Sequence, residues 1–211
     1  MILQQLADAI EKGDKQRAIK SMRDLEADIH PEDILKSLTE GIRKLGEKFE
    51  NHEVFLTDLV LAAQAAYGVA EVLEPHLDKE RMKARALGTM VIGTVEGDVH
   101  SVGKDLVAMV FRASGFNVID LGTDVPAKKF ATAAKECGAK IVGASALLST
   151  TMLGLSKIPR ALEQEGIRET VRVIFGGAPV TERFTKEAGG DLYAEDPFRA
   201  VKIVKKAIGR V

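Results

Sequence analysis

The stretch LGTMVIGTVEGDVHSVGK, residues 87–104, decides the fold. A short run of apolar residues leads into a polar loop, and a helical pattern begins near Gly103. The run is apolar at consecutive rather than alternate positions, which is typical of a strand buried on both faces of a parallel sheet. Four similar units follow. Their apolar runs are 117–121, 140–145, 171–175 and 191–194, and their helices are predicted to begin near Pro126, Leu153, Val180 and Pro197.

Strands and helices that alternate in this way predict an α/β domain with a doubly wound, parallel, five-stranded sheet of the Rossmann-like or flavodoxin-like kind. Ligands of such sheets bind at the carboxyl ends of the strands. We expect this domain to span residues 87–211. Residues 77–86 are charged and lack an apolar face of useful length, so they are predicted to be a linker.

The first 76 residues are predicted to form a separate helical domain. Gly13 and Asp14 provide a stop for one helix and an N-cap for the next, and Pro31 suits the first turn of a third. Four amphipathic helices with short connections predict a small four-helix bundle. Their apolar residues lie at helical spacing in the stretches 2–10, 18–29, 34–49 and 56–73.

The composition excludes several classes of protein. The 211 residues include 30 Lys and Arg against 31 Asp and Glu, and this balance argues against a nucleic-acid binder. The single cysteine, Cys137, rules out an internal disulfide and a thiolate metal cluster. No apolar run approaches the roughly 20 residues that span a bilayer, and the N-terminus has no basic segment of a signal peptide. A cytoplasmic protein without a membrane partner is expected.

The loop after the first predicted strand places a carboxylate, Asp98, two residues before His100 and a glycine, Gly103, three residues after it. It is neither a G-x-G-x-x-G fingerprint nor a P-loop, since Asp105 stands where a P-loop needs Ser or Thr. A carboxylate beside a loop histidine can orient one ring nitrogen and leave the other as a ligand or base. A solvent-exposed histidine without a function is the alternative, and the more common one for a lone loop histidine.

Two more strand ends carry unusual residues. The third predicted strand ends in small side chains near Ser145, and a run of three hydroxyls follows at residues 149–151. The fourth ends in Gly176 and Gly177, where paired glycines permit a close backbone approach. Turn chemistry explains each feature alone. Together they point to a deep slot beside the sheet that could take an elongated ligand.

These motifs resemble the signature of cobalamin-binding domains: D-x-H-x-x-G at residues 98–103, S-x-L at Ser145 and Leu147, and G-G at residues 176–177. The helices that contain LGEKFE, residues 45–50, and FLTDLV, residues 55–60, are similar to the cap module of cobalamin-dependent methyltransferases such as methionine synthase. The chain as a whole resembles the corrinoid proteins that serve methanol, methylamine, betaine and methoxy-aromatic methyltransferase systems. Thr57 departs from the proline that relatives commonly have there.

The resemblance implies a corrinoid bound base-off and His-on, with its nucleotide base pulled off cobalt into the slot. His100 would be the lower axial ligand of cobalt and, with Asp98, the catalytic pair, and a hydroxyl from residues 149–151 would extend the relay. Phe55 and Leu56 are candidate contacts of the cap with the corrin. The full set of implied cofactor contacts is Gly97, Asp98, Val99, His100, Ser101, Gly103, Ser145, Leu147, Ser149, Thr150, Thr151, Gly176 and Gly177.

The resemblance also implies partners. A substrate-specific methyltransferase would load the carrier, a second methyltransferase would unload it to a thiol cofactor or tetrahydrofolate, and a reductive activase would restore the cobalt. The chain is then a methyl carrier rather than a complete enzyme. The alternatives are the small subunit of an adenosylcobalamin mutase, a cobalamin sensor, and a nucleotide- or flavin-binding domain or receiver. The helical domain argues against the mutase, and Ser145 replaces the aspartate that a receiver needs.

Overall fold

The computed structural model describes residues 2–24, 31–73 and 86–209. It divides into two compact units, Met1–Ala84 and Arg85–Val211. The predicted linker, except for Ala86, lies outside the described residues. In the described part of the chain, no helix is both long and apolar enough to span a membrane.

The N-terminal unit is helical, as predicted. Asp14 caps the second helix, because its Oδ1 accepts a hydrogen bond from the Arg17 backbone N–H at 2.9 Å. The fourth helix begins at Leu56 in spite of Thr57, and Asp58 Oδ2 accepts from the Phe55 N–H at 2.7 Å at this start. The helices described are α1 (Ile2–Glu11), α2 (Lys15–Arg23), α3 (Pro31–Glu50) and α4 (Leu56–Leu73).

These four helices pack on one another in a small bundle. Helix α1 contacts α2, α3 and α4, and α4 also contacts α2 and α3. The stripe predicted for the second helix reaches residue 29, but α2 ends at Arg23, and residues 25–30 lie outside the described residues. Apolar residues such as Leu6, Ile10 and Leu59 are almost completely buried between the helices. The periodicity of the sequence therefore reports the buried faces of this unit correctly.

The C-terminal unit is a parallel sheet flanked by helices, which confirms the predicted α/β class. Its strands are β1 (Thr89–Thr94), β2 (Asn117–Asp120), β3 (Ile141–Ser145), β4 (Arg172–Gly176) and β5 (Leu192–Tyr193). Its α-helices are α5 (Val102–Ala113), α6 (Ala127–Cys137), α7 (Ser149–Met152), α8 (Lys157–Gln164), α9 (Glu182–Glu187) and α10 (Pro197–Ala207). The strand order is β2-β1-β3-β4-β5, and every pairing is parallel.

The helix after β3 begins earlier than predicted. The pattern indicated a start near Leu153, whereas α7 covers Ser149–Met152 and passes through a 3-10 turn at Leu153–Ser156 into α8. The Leu148 carbonyl accepts from the backbone N–H groups of Thr151 and Met152 and so starts the first turn. Three consecutive hydroxyl residues gave no apolar helical signal, which is why the earlier start was missed. The early start places Thr151 on a helical turn.

The sheet is buried on both faces, as the consecutive apolar residues predicted. Val91, Val142 and Val173 lie in one core with Phe130 and Phe175, all of them fully buried. Burial of side chains of this size contributes roughly 1.5–3 kcal/mol each. Chain order reverses between β1 and β3, since β2 lies outside β1 and β4 lies outside β3. The carboxyl ends of β1 and β3 are therefore the switch point where such sheets bind ligands.

Candidate functional site

A buried carboxylate joins the two loops at the switch point. Asp98, in the loop after β1, is 0% exposed. Its Oδ1 accepts from the His100 backbone N–H at 3.0 Å and lies 2.8 Å from His100 Nδ1. Its Oδ2 accepts from the Leu147 N–H and from Thr151 Oγ1, both at 2.7 Å. Four of the predicted site residues are thereby brought together around one carboxylate.

This environment keeps Asp98 ionised. Burial by itself would raise the pKa of the carboxyl group, but hydrogen bonds from Thr151, from Leu147 and from the backbone and ring of His100 outweigh it and hold the pKa well below its usual range. An ionised carboxylate only accepts hydrogen bonds, so Nδ1 of His100 carries the ring proton. The tautomer leaves a lone pair on Nε2 of a ring whose side chain is 45% exposed. Such a nitrogen can act as a metal ligand or a base.

Thr94 holds the main chain of the same histidine. It is the last residue of β1, is 0% exposed, and its Oγ1 donates to the His100 carbonyl at 3.1 Å. Ser145, at the end of β3, lies beside it with 3.4 Å between the two hydroxyl oxygens. Ser145 thus contacts the strand that supports the histidine rather than Asp98 itself. Thr94 is not among the residues predicted from the sequence, although a hydroxyl residue at the end of an apolar strand was the available signal.

The paired glycines at the end of β4, Gly176 in the strand and Gly177 directly after it, have different roles. A Cβ added at Gly176 would have no atom within 4 Å, and Gly176 is the register partner of Ser145. Gly177 has a φ of +123°, and a Cβ there would lie 1.9 Å from the Ala146 carbonyl oxygen. The fold therefore requires glycine at 177 whether or not a ligand binds. Glycine at 176 leaves open space beside β3.

An exposed apolar surface accompanies the Asp98–His100 pair. Seven large apolar side chains are exposed in the described residues, and five of them lie on the loops and helix starts that follow β1 and β3. We call these five residues the apolar rim. They are Val99 (70% exposed), Val102 (61%), Leu147 (45%), Leu148 (44%) and Leu153 (65%). Exposed apolar residues that lie together mark binding surfaces. Of these five, Val99 and Leu147 are among the site residues predicted from the sequence.

The remaining predicted residues lie near the pair without touching the Asp98 carboxylate in the described structure. Ser101 is the N-cap residue of α5 without a side-chain capping bond, and Gly103 has open space around it in the first turn of that helix. Ser149 and Thr150 are exposed at the start of α7. Of the three hydroxyls predicted as relay candidates, the structure brings Thr151 to Asp98.

Lys104 fixes the start of the helix that follows the histidine loop. The residue is 3% exposed, and its Nζ is 2.5 Å from both Asp105 Oδ1 and Asp120 Oδ2. Burial would lower the pKa of this ammonium, but the two carboxylates outweigh burial and raise it. Because Asp120 ends β2, this ion pair ties α5 to the sheet directly beside β1.

The sheet with its Asp-His pair at the switch point is an α/β ligand-binding domain that follows a helical module in the sequence, and comparison with known proteins gives its class. Two family models described as "B12 binding domain" match residues 88–202 and residues 2–74. The chain belongs to this family of B12-binding proteins.

Relatives match over nearly the whole chain. Trimethylamine corrinoid protein 1 of Methanosarcina acetivorans is 40% identical over 209 residues, which cover 98% of this chain and 97% of that protein. Dimethylamine corrinoid protein 2 of the same organism is 38% identical over 208 residues, covering 98% and 96%. Among solved structures, the methanol:cobalamin methyltransferase complex MtaBC of Methanosarcina barkeri matches with a TM-score of 0.81 and 27% identity, covering 100% of this chain and 80% of that one.

Proposed function

We propose that this protein binds a corrinoid base-off and His-on and carries a methyl group between two methyltransferases. The observation that carries the proposal is the Asp98–His100 pair at the switch point. The buried, ionised carboxylate of Asp98 fixes the tautomer of His100, and the His100 ring is half exposed beside the apolar rim. The match to corrinoid proteins along the whole chain supports the same assignment.

The residues present fit a corrinoid. The Nε2 nitrogen of His100 would supply the axial ligand, and Asp98 would act as the outer partner that fixes the orientation of the ring. Outer partners of a ligating histidine typically change metal affinity or activity by roughly 10–100-fold. The apolar rim suits the face of a large macrocycle. The open space at Gly176, next to Ser145, suits the displaced nucleotide tail.

When bound, the corrinoid would supply a cobalt atom able to carry a methyl group. His100 and Asp98 would control whether a nitrogen ligand is available to that metal. A proton taken up at Nε2 would occupy the lone pair that a metal ligand needs, and the ionised Asp98 would stabilise the resulting imidazolium. Because Thr151 and the Leu147 N–H keep Asp98 charged, the ring can change between a ligating and a non-ligating state without leaving a neutral carboxyl group buried.

The names of the relatives support a methyl carrier that works with a substrate-specific methyltransferase. We propose a second methyltransferase with a thiol cofactor or tetrahydrofolate as acceptor, and a reductive activase that restores the cobalt. The methyl donor is set by the first partner. Residues 1–76 would form the cap domain, residues 77–86 the linker and residues 87–211 the corrinoid domain. Phe55, which is 76% exposed just before α4, is available to contact the corrin.

Methyl loading tests the proposal. The purified chain is incubated with hydroxocobalamin, freed of excess cofactor by gel filtration, and reduced. It is then mixed with the methyltransferase that co-purifies with it and with ¹⁴C-labelled methylamines, methanol, betaine or a methoxy-aromatic compound in turn. We expect equimolar cobalt after gel filtration and ¹⁴C label on the protein from one of the donors. His100→Ala should reduce the label, whereas His52→Ala, which changes an exposed residue of the helical unit, should not.

Two outcomes would overturn the proposal. A protein that retains no cobalt after gel filtration does not bind a corrinoid under these conditions. A protein that retains cobalt but takes label from none of the donors is not the methyl carrier proposed, and the mutase and sensor alternatives would then be favoured.

A further inference from the structure

The loop between β2 and α6 contains a residue in an unusual backbone conformation. Asp124 has a φ of +53°, and among the described residues His52 is the other non-glycine residue with a positive φ. Aspartate enters this left-handed region more readily than most residues, but the conformation still costs free energy and persists where surrounding contacts hold it. Asp124 is exposed, so burial of an apolar side chain does not explain it.

The contacts of Asp124 explain the conformation. Its Oδ1 accepts from the Gly97 N–H at 2.7 Å, and its own N–H donates to the Asp98 carbonyl at 2.9 Å. We call these two hydrogen bonds the clasp, because they hold the backbone of residues 97 and 98 at two points. Gly97 has a φ of +83°, so the clasp closes a turn whose backbone shape most residues would resist.

The clasp is anchored to the sheet. Val95 and Val125 form a parallel bridge beyond the ends of β1 and β2, and the Val125 N–H donates to the Thr94 carbonyl at 2.9 Å. The Thr94 N–H in turn donates to the Gly122 carbonyl at 3.0 Å. The loop that carries Asp124 is therefore an extension of the sheet, and its position is set by the same ladder that positions β1.

Asp98 is consequently held by two loops, which bind different parts of the residue. The loop after β3 binds its carboxylate through Leu147 and Thr151, and the loop after β2 binds its main chain through Asp124. We propose that Asp124 is a positioning residue for the axial histidine. By fixing the backbone at residues 97 and 98, it sets where the Asp98 carboxylate lies and hence how the His100 ring is oriented. This inference rests on the proposed function, in which His100 binds cobalt.

Three variants separate the two properties of Asp124. Asp124→Asn keeps an acceptor oxygen and tolerates the left-handed conformation, Asp124→Gly suits the conformation but removes the acceptor, and Asp124→Ala removes both advantages. Asp196→Gly is the matched control. Asp196 Oδ1 also accepts from backbone N–H groups, those of Phe198 and Arg199, but it caps α10 at residues 197–207, away from the histidine loop.

The first readout is amide hydrogen exchange in the apoprotein, which involves no cofactor. Loss of a hydrogen bond to a carboxylate should accelerate exchange of the Gly97 amide about tenfold or more. We expect this acceleration in Asp124→Gly and Asp124→Ala, and exchange close to the wild-type rate in Asp124→Asn. Asp196→Gly should leave the Gly97 amide unchanged. An unchanged Gly97 amide in Asp124→Gly would overturn the inference.

The second readout is the axial nitrogen splitting in the electron paramagnetic resonance spectrum of the Co(II) form of ¹⁵N-labelled protein loaded with unlabelled cobalamin. A labelled histidine gives a doublet, and the cofactor's own base gives a triplet. We expect the histidine-ligated fraction to fall in Asp124→Gly and to recover in Asp124→Asn, with cobalt stoichiometry unchanged. A full histidine-ligated fraction in Asp124→Gly would overturn the positioning role. A wild-type protein without the doublet would instead overturn the proposed function, while the exchange result would still report on the clasp.

Discussion

The amino edge of the sheet, where the strands begin, and the carboxyl edge, where they end, each contain an aspartate that joins neighbouring segments. The two aspartates have different roles. At the amino edge, Asp191 precedes β5 and accepts from Arg168 Nη1 and Nη2 at 3.0 and 2.8 Å and from the Val173 N–H at 2.7 Å. Arg168 also donates to the Gly189 and Val171 carbonyls. In this bidentate ion pair, both charged groups are engaged by each other and by backbone hydrogen bonds. The pair joins the segments before β4 and β5.

At the carboxyl edge, Asp98 is more deeply buried, and in the described part of the chain its ion-pair partner is a histidine rather than an arginine or lysine. Its other hydrogen bonds come from neutral donors, among them the backbone N–H groups of His100 and Leu147 and the hydroxyl of Thr151. The network ends in a ring that is half exposed and has a lone pair available on Nε2. The comparison indicates that the amino edge is built for stability and the carboxyl edge for binding, although both use the same residue type.

The largest expected effect on stability is that of Gly177→Ala, which we compare with Gly176→Ala at the neighbouring position. Gly177→Ala should destabilise the protein by about 4 kcal/mol or prevent folding, because its Cβ overlaps the Ala146 carbonyl oxygen and its φ is strained. Gly176→Ala should change the free energy of unfolding by less than about 0.5 kcal/mol. Urea denaturation of the apoproteins measures both. Equal losses of stability in the two alanine variants would contradict this division of roles.

A bulkier side chain at the open position tests the slot. Gly176→Leu should still fold but should retain less cobalt than wild type.

A second variant tests the amino edge. Arg168→Ala should lower the free energy of unfolding by about 3 kcal/mol, since it leaves Asp191 and two carbonyls without their charged partner. Arg183→Ala is the control, because Arg183 pairs with Glu187 on an exposed helix face and its loss should leave the free energy of unfolding close to that of wild type. Histidine ligation of cobalt should remain normal in Arg168→Ala. A stability loss no greater than that of the control would show that the amino-edge ion pair is not a stabilising element.

Removal of one hydrogen bond to Asp98 should cause a smaller loss in the free energy of unfolding. Thr151→Val removes a hydrogen bond to a buried carboxylate and should cost about 2 kcal/mol, whereas Thr150→Val, at the adjacent exposed position, should cost less than about 0.5 kcal/mol. Urea denaturation of the two apoproteins measures the difference. If the two valine variants were equally stable, Thr151 would not support Asp98.

The smallest effect is the pH dependence of stability. The pKa of Asp98 is lower in the folded chain than the value of about 3.9 in unfolded chains, so its ionised form stabilises the fold above about pH 4, and this contribution is lost as the pH falls below 4. Between pH 5 and 3.5 wild type should lose stability relative to Asp98→Asn, by an amount on the order of 1 kcal/mol. Unfolding free energies measured across this range check the sign. A wild type that gained stability relative to the variant on acidification would contradict the ionised Asp98.

Patterns in the sequence predicted the fold and the pairing of Asp98 with His100, because strand burial and a spacing of two residues are local properties. Other features depend on contacts between loops. The choice of Thr151 among three hydroxyls follows from the start of α7 at Ser149, which has no apolar signal. Thr94 and Asp124 act on residues of the histidine loop through strand-end geometry that no spacing reveals.

Two adjacent glycines also show what the sequence cannot distinguish. Gly176 and Gly177 are the same residue type at neighbouring positions, and the sequence predicts that both line the slot. A φ of +123° and the proximity of Ala146 distinguish the second from the first, and neither quantity is encoded in a motif. The apolar rim shows the same limit, since Val102, Leu148 and Leu153 are apolar residues of the kind that a sequence pattern assigns to the core, yet the fold leaves them exposed.

We propose that His100 Nε2 binds the cobalt of the corrinoid in place of the cofactor's own base. The Co(II) electron paramagnetic resonance spectrum of the uniformly ¹⁵N-labelled protein with cobalamin of natural abundance distinguishes the two ligands. Ligation by His100 predicts a doublet axial splitting that disappears in His100→Ala. A triplet from the labelled wild-type protein, the pattern of the cofactor's ¹⁴N base, would contradict it.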